Sequence, residues 1–211
     1  GFPAGVMIAA TWSKDLAHDF GSSIGKMAGE MNTSGWYAPA MNIHRTAFAG
    51  RNFEYYSEDG VLSGFIAANA VAGAKEHGVY SYMKHFALND QEGNRCDMLC
   101  TWSNEQAIRE IYLKPFEMCV KDSGCEAVMS SFNYIGNRWA GGCAPLCKTV
   151  LRDEWGFVGF VETDYFGVYG YMSADQAIRN GTDLVLVSYQ TEPNNIRFRA
   201  TNGAQQALRE S

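Results

Sequence analysis

Apolar positions change period along this chain several times, and the changes divide it into alternating helices and strands. Leu16, Phe20, Ile24 and Met27 recur at helical spacing behind Ser13, predicting a capped helix from Ser13 to Glu30. A short strand is expected at 35–39, and Asp59 is expected to cap a helix with Leu62, Phe65, Ile66, Asn69, Ala70 and Gly73 on one face. Val79 to Lys84 reads as the next strand. Ser103 and Gln106 have the spacing of a capping box, for a helix carrying Ile108, Ile111, Tyr112, Phe116 and Cys119, with a kink at Pro115.

Ala127 to Phe132 follows as a strand. Pro145 suits the first turn of a helix that runs to Trp155 and stops at Gly156. Val158, Phe160 and Val161 read as a buried parallel strand ending at Asp164. Ser173 and Gln176 predict a short helix closed by Gly181, and 184–187 a fully buried strand. After a polar tail from Tyr189 to Asn202, a last helical pattern begins near Ala204.

The order strand, helix, strand, helix, about five times over, is that of an α/β fold with parallel, right-handed crossovers. It fits a doubly wound sheet or a (β/α)8 barrel. A barrel normally takes about 250 residues and eight strands, so as a barrel this 211-residue chain is incomplete. Both ends read as cut: the chain opens on Gly1-Phe2-Pro3 without a signal-peptide pattern and closes inside a helical one. Any export signal would lie outside it.

Polar groups gather where strands end. The long loop from Asn42 to Ser57 carries Arg51 and Glu54, Lys84 and His85 close the next strand, Arg95 lies in a second polar loop, Phe132 and Asn133 follow the third strand, and Asp164 ends the fourth. A single Asp in such a place ordinarily caps a helix, and a single His is ordinarily a core residue. Several strand ends together suggest a functional rim, because barrel active sites are assembled from them. Donors from Arg51, Lys84, His85 and Arg95, an acceptor and possible nucleophile in Asp164, and flat faces from Trp36, Tyr165 and Phe166 suit a sugar ring. His44 and Arg45 read as braces of the first loop, and Glu58-Asp59 as a helix start.

Composition narrows the classes. The net charge is −6 with no basic stripe, which disfavours nucleic acid and anionic membranes as partners. Neither a P-loop nor a dinucleotide fingerprint is present, so no nucleotide or other cofactor is expected. The six cysteines lack the hooks of a zinc site, so no metal is expected either, and unpaired thiols favour a cytoplasmic setting over a secreted one.

Taken together, 38–44 (APAMNIH), 50–59 (GRNFEYYSED), 84–95 (KHFALNDQEGNR), 129–133 (MSSFN) and 159–164 (GFVETD) resemble glycoside hydrolase family 3, in its β-glucosidase-like branch, over essentially the whole chain. The resemblance implies that residues 1–211 form part of a (β/α)8 catalytic barrel lacking its first strand region and a following α/β sandwich domain. It implies hydrolysis of β-linked glucosides from the non-reducing end with retention of configuration, Asp164 as nucleophile, Arg51, Lys84, His85 and Arg95 on the glycone, and Met129, Phe132 and Tyr165 beside it. Phe132 stands where many relatives carry Tyr, Tyr165 where many carry Trp, and Gly60 where Pro is frequent.

The glycone-binding Asp and the acid/base Glu of the family fall outside the chain by this resemblance, and Glu54, Glu92 and Glu162 read as structural. Lys84, Arg51 and Arg95 are expected to favour the charged form of Asp164. A β-xylosidase or α-arabinofuranosidase of the same family, a non-hydrolytic sugar-binding module and a phosphate- or cofactor-dependent barrel enzyme are the alternatives.

Overall fold

The computed structural model describes residues 1–166 and 171–186. The expected end of the strand at Val187, the polar tail and the helix near Ala204 fall outside the described residues.

A one-turn helix α1 (Gly5–Ala9) precedes α2 (Lys14–Glu30), where Ser13 caps as expected by accepting from Leu16 N. β1 (Gly35–Trp36) leads through the first long loop to α3 (Gly60–Lys75), whose N-cap Asp59 accepts from Val61 N and Leu62 N. β2 (Tyr80–Phe86) follows, then the second loop and β3 (Cys100–Thr101). The next helical segment begins as α4 (Glu105–Ala107), widens over Ile108–Tyr112, where Leu113 N reaches back to Ile108 O, and continues as α5 (Lys114–Ser123). Its cap is Asn104, whose side chain accepts from Ala107 N, and not the expected Ser103; Gln106 instead turns to Glu110. Pro115 sits in the first turn of α5, where a missing N–H costs nothing.

β4 (Ala127–Ser130) is followed by the short β5 (Tyr134–Ile135) and β6 (Arg138–Trp139), the Pro145–Glu154 helix, β7 (Phe160–Glu162) and α6 (Ala174–Arg179), capped by Ser173. Gly156, at φ +73°, stops the Pro145 helix in the left-handed conformation that favours glycine.

The main sheet is parallel and runs β1-β2-β4-β7, in chain order without reversal. A doubly wound sheet reverses at a switch point. Unreversed order is the winding of a (β/α)8 barrel, and no switch point falls within these four strands. β3, β5 and β6 form a second, three-stranded sheet that hydrophobic periodicity did not predict.

One face of the main sheet presents Met83, Val128 and Val161, in register across three strands, to Ile66, Val71, Phe116, Val120 and Leu151 of the helical layer. The other face carries an aromatic group in which Tyr82 lies 5.3 Å from Phe160 and 4.7 Å from Tyr37. Val158, expected in the buried strand, is 84% exposed, because the strand begins two residues later. Leu184 is likewise exposed, not buried: it makes a single parallel bridge to Glu162 at the sheet's margin.

The packing of α2 also departs from expectation. Leu16 and Met27 are about half exposed, and the buried positions are Ala17, Gly21 and Gly25. These small residues let the backbones of α2 and α3 touch: a Cβ on Gly21 would lie 1.9 Å from Ala70 O, and one on Gly73 2.1 Å from His18 O. Alanine has the higher helix propensity by about 1 kcal/mol, but the clash is with backbone and can be relieved only by separating the helices. Gly21→Ala is therefore expected to lower stability by about 2 kcal/mol or more, read as a fall in Tm. An unchanged or raised Tm would show that propensity governs instead.

Candidate active site

The two long loops and three strand ends converge on Asp164, just beyond β7. Its side chain is 13% exposed. Oδ1 accepts from Tyr165 N at 2.7 Å, while Oδ2 is buried without a hydrogen-bond partner and lies 3.8 Å from His85 Nε2. Burial raises its pKa above the ordinary carboxylate value, and Tyr165 N–H, Arg95, Arg51 and Lys84 pull the other way. The expectation that the three cations keep Asp164 acidic is thus met in direction and outweighed in size. Desolvation of an unpaired oxygen dominates.

The basic residues are held by carboxylates. Arg51 Nε donates to Glu54 Oε1 in a short ion pair, and Arg51 Nη1 lies 3.9 Å from Glu92. Lys84 Nζ is 3.6 Å from Glu54 Oε2, and Arg95 Nε forms an ion pair with Glu92 Oε2 at 3.0 Å. Burial lowers the Lys84 pKa, and the Glu54 carboxylate opposes that shift. Glu54 and Glu92 thereby fix three cations around one space and neutralise much of their mutual repulsion. Their expected structural role is this one, and it serves the site directly.

Phe132 is buried, with the Arg95 guanidinium 4.7 Å above its ring, a cation–π contact that orients Arg95. Met129 is 4% exposed and pairs with Glu162 across β4 and β7, one row below the rim. Tyr165 is 38% exposed at the open side. Two expected sugar platforms are placed elsewhere: Phe166 is core at 1% exposure, 6.3 Å from Trp139, and Trp36 packs on Phe20 at 5.9 Å. Asn133 ties the end of β4 to β2 through Ala87 O, and His44 braces its loop through Tyr55 O.

His85 is 2% exposed, and burial first, then the charges of Arg51, Lys84 and Arg95, drives its pKa well below the ordinary value. The ring is neutral. Its backbone is clamped by Asn42, which donates to His85 O at 2.9 Å and accepts from His85 N at 2.8 Å. Asn42, Tyr55 and Asn89 are site residues that the strand-end pattern did not single out. Each falls inside one of the quoted motifs, 38–44, 50–59 and 84–95, without standing out there by its chemistry.

Glu162, which the sequence reads as structural, is 2% exposed, with Oε2 unpartnered and Tyr37 Oη donating to Oε1 at a long 3.4 Å. Burial pushes its pKa up to about 7, with the charge of Asp164 adding to the shift. Among the described residues no group of three His, Cys, Asp or Glu could hold a metal ion, and no helix is long and apolar enough to cross a membrane.

Known proteins resemble this chain in sequence and in fold. The family model for the glycosyl hydrolase family 3 N terminal domain matches residues 1–208. Beta-glucosidase A of Butyrivibrio fibrisolvens is 42% identical over 166 residues, which is 79% of this chain and 20% of that protein. A beta-glucosidase of Rhizobium radiobacter is 40% identical over 87% of this chain and 22% of its own length. The structure of beta-glucosidase 3B from Thermotoga neapolitana in complex with glucose superposes with a TM-score of 0.87 at 38% identity, covering 99% of this chain and 28% of that one. The chain thus spans about a fifth of the length of the curated relatives it matches. With a parallel, unreversed α/β sheet, a charged rim at its strand ends and a family model matched almost from end to end, the chain belongs to glycosyl hydrolase family 3, as its N-terminal, barrel-type domain.

Proposed function

We propose that residues 1–211 form part of the (β/α)8 catalytic barrel of a retaining, exo-acting β-glucosidase, in which Asp164 attacks the anomeric carbon of a terminal β-D-glucosyl unit. The observation that carries this is the state of Asp164 Oδ2. Glu54 and Glu92 are tied to Arg51, Lys84 and Arg95, whereas Oδ2 is buried and unpartnered, with the charges of those three cations acting on it. A desolvated carboxylate oxygen with no hydrogen bond to break is a prepared nucleophile.

In the reaction, Oδ2 forms an ester to the anomeric carbon as the bond to the leaving oxygen breaks. A carboxylic acid supplied from outside this chain, by a following α/β sandwich domain of the full-length protein, protonates that oxygen. The same group then removes a proton from water, which attacks the anomeric carbon as its bond to Asp164 Oδ2 breaks, freeing the carboxylate and releasing glucose with its configuration retained. Arg51, Lys84, His85 and Arg95 donate to sugar hydroxyls, Met129 and Phe132 wall the glucosyl subsite, and Tyr165 borders the leaving group. These donors hold the ring where charge develops and strengthen as it does.

The test is covalent trapping in the full-length protein. A 2-deoxy-2-fluoro-β-glucoside with a good leaving group is expected to label Asp164 stoichiometrically, and aryl β-glucosides to turn over faster than aryl β-xylosides or α-arabinofuranosides. Labelling of a different carboxylate rejects the nucleophile, and a preference for pentosides rejects the substrate.

A further inference from the structure

Tyr55 follows Glu54 in the first long loop, is 1% exposed, and places its hydroxyl 3.2 Å from His85 Nδ1. The direction of that hydrogen bond follows from Asn89. The Asn89 side-chain nitrogen lies 3.2 Å from Glu92 Oε1 and 3.4 Å from Tyr55 Oη. A carboxylate only accepts, so Glu92 fixes the amide with its NH2 toward both groups. Tyr55 Oη therefore accepts from Asn89, and its own proton is directed at His85 Nδ1. An Nδ1 that accepts leaves a neutral ring protonated at Nε2, the nitrogen 3.8 Å from Asp164 Oδ2.

We propose that Tyr55 and Asn89 are positioning residues that hold His85 in its Nε2–H tautomer, so that the site presents an N–H donor, and not a lone pair, to Asp164 and to the sugar it attacks. The proposal takes Asp164 as nucleophile from the function proposed above; the tautomer itself does not depend on it. The chain of donors runs Asn89, Tyr55, His85, ending with His85 Nε2 3.8 Å from Asp164 Oδ2, and Glu92 at its head also holds Arg95. The charged or titratable groups facing His85 and Asp164 are Arg51, Glu54, Glu92 and Arg95 from the loops, Lys84 from β2 and Glu162 from β7. With the neutral ring set by burial and by these cations, the tautomer is the remaining variable. The opposite tautomer would turn a lone pair on the Asp164 carboxylate and raise its affinity for a proton.

The experiment measures the His85 tautomer by 15N NMR in full-length protein labelled at histidine, with the His85 signals assigned by their loss in His85→Asn. Wild type is expected to show Nε2 protonated and Nδ1 bare. Tyr55→Phe, which keeps shape and removes only the hydroxyl, is expected to give a mixture of tautomers. In kinetics on an aryl β-glucoside its acidic limb of kcat/KM moves to higher pH, with a loss of about tenfold on that limb. Asn89→Asp replaces the donor with an acceptor, drawing the Tyr55 proton away from His85, and is expected to favour Nδ1–H. Tm identifies any variant that fails to fold, and the other variant then carries the test. A wild-type proton on Nδ1, or an acidic limb unmoved in both variants, overturns the proposal. Failure of the nucleophile reading would be seen separately, as trapping on another carboxylate with the His85 spectrum unchanged.

Discussion

Asp164→Asn, made in the full-length protein, is expected to lower kcat/KM for an aryl β-glucoside by at least about 10⁴-fold while leaving Tm unchanged or raised. The loss corresponds to about 5.5 kcal/mol of transition-state stabilisation. Its source is chemical: a carboxamide accepts the same Tyr165 N–H bond that Asp164 Oδ1 accepts at 2.7 Å, but does not form the glycosyl ester. The charge that would sit against an oxocarbenium-like transition state is lost in the same step.

The stability half of the expectation has the opposite sign, and separates this residue from a structural one. Asp164 has a raised pKa because burial of its carboxylate outweighs every favourable charge around it. A group whose folded pKa is raised above its unfolded value binds protons more tightly when folded, so its charged form opposes folding above that pKa. Replacing the charge with an amide removes the penalty. A buried carboxylate that served the fold would be paired, and its loss would lower Tm. Turnover within tenfold of wild type, or a large fall in Tm, would sink the assignment.

Sequence patterns disclosed the frame of this site better than its interior. Helix caps at Ser13, Asp59 and Ser173 were readable because a short polar side chain before an apolar periodic run has one dominant use. The buried face of α2 was not readable from hydrophobicity, since Gly21 and Gly25 contribute contact by having no side chain. β3, β5 and β6 are two residues each, too short to show a period. In the site, Arg51, Lys84, His85, Arg95 and Asp164 stood out as ionisable groups at the ends of apolar strands. Tyr55 and Asn89 did not, because each meets its partner across about 30 residues of chain and neither residue type is unusual in a loop.

Glu162 marks the other limit. The sequence reads Glu162 as structural, and it is 2% exposed with one oxygen unpartnered. Its pKa of about 7, against an ordinary value of 4.5, means that folding requires it to keep its proton over most of the acidic range. Asp90, also raised to about 7 by burial despite accepting from Ile43 N, acts in the same direction.

The consequence is a pH dependence of stability with a definite sign. The folded state binds more protons than the unfolded state between the unfolded and folded pKa values, so stability falls as pH rises through that window. For Glu162 the window runs from 4.5 to about 7 and is worth about 3 kcal/mol at most, less where local opening lets water reach the charge. The contribution of Glu162 to Tm is therefore expected to decline from pH 4.5 to pH 8, opposed in the wild-type total below about pH 6.5 by His85, whose lowered pKa adds stability as pH rises. Glu162→Gln, which fills the same space with a neutral amide, is expected to flatten that decline and to raise Tm at pH 8 by about 5 °C or more, with little change at pH 4.5. The Asp90 contribution remains in the variant, so the slope is reduced and not abolished. Because Glu162 ends β7 two residues before Asp164, its ionisation near pH 7 also places a second negative charge close to Asp164. A Tm that falls equally in both proteins would mean that Glu162 finds water or a cation when it ionises, and that the buried carboxyl has no hold on the fold.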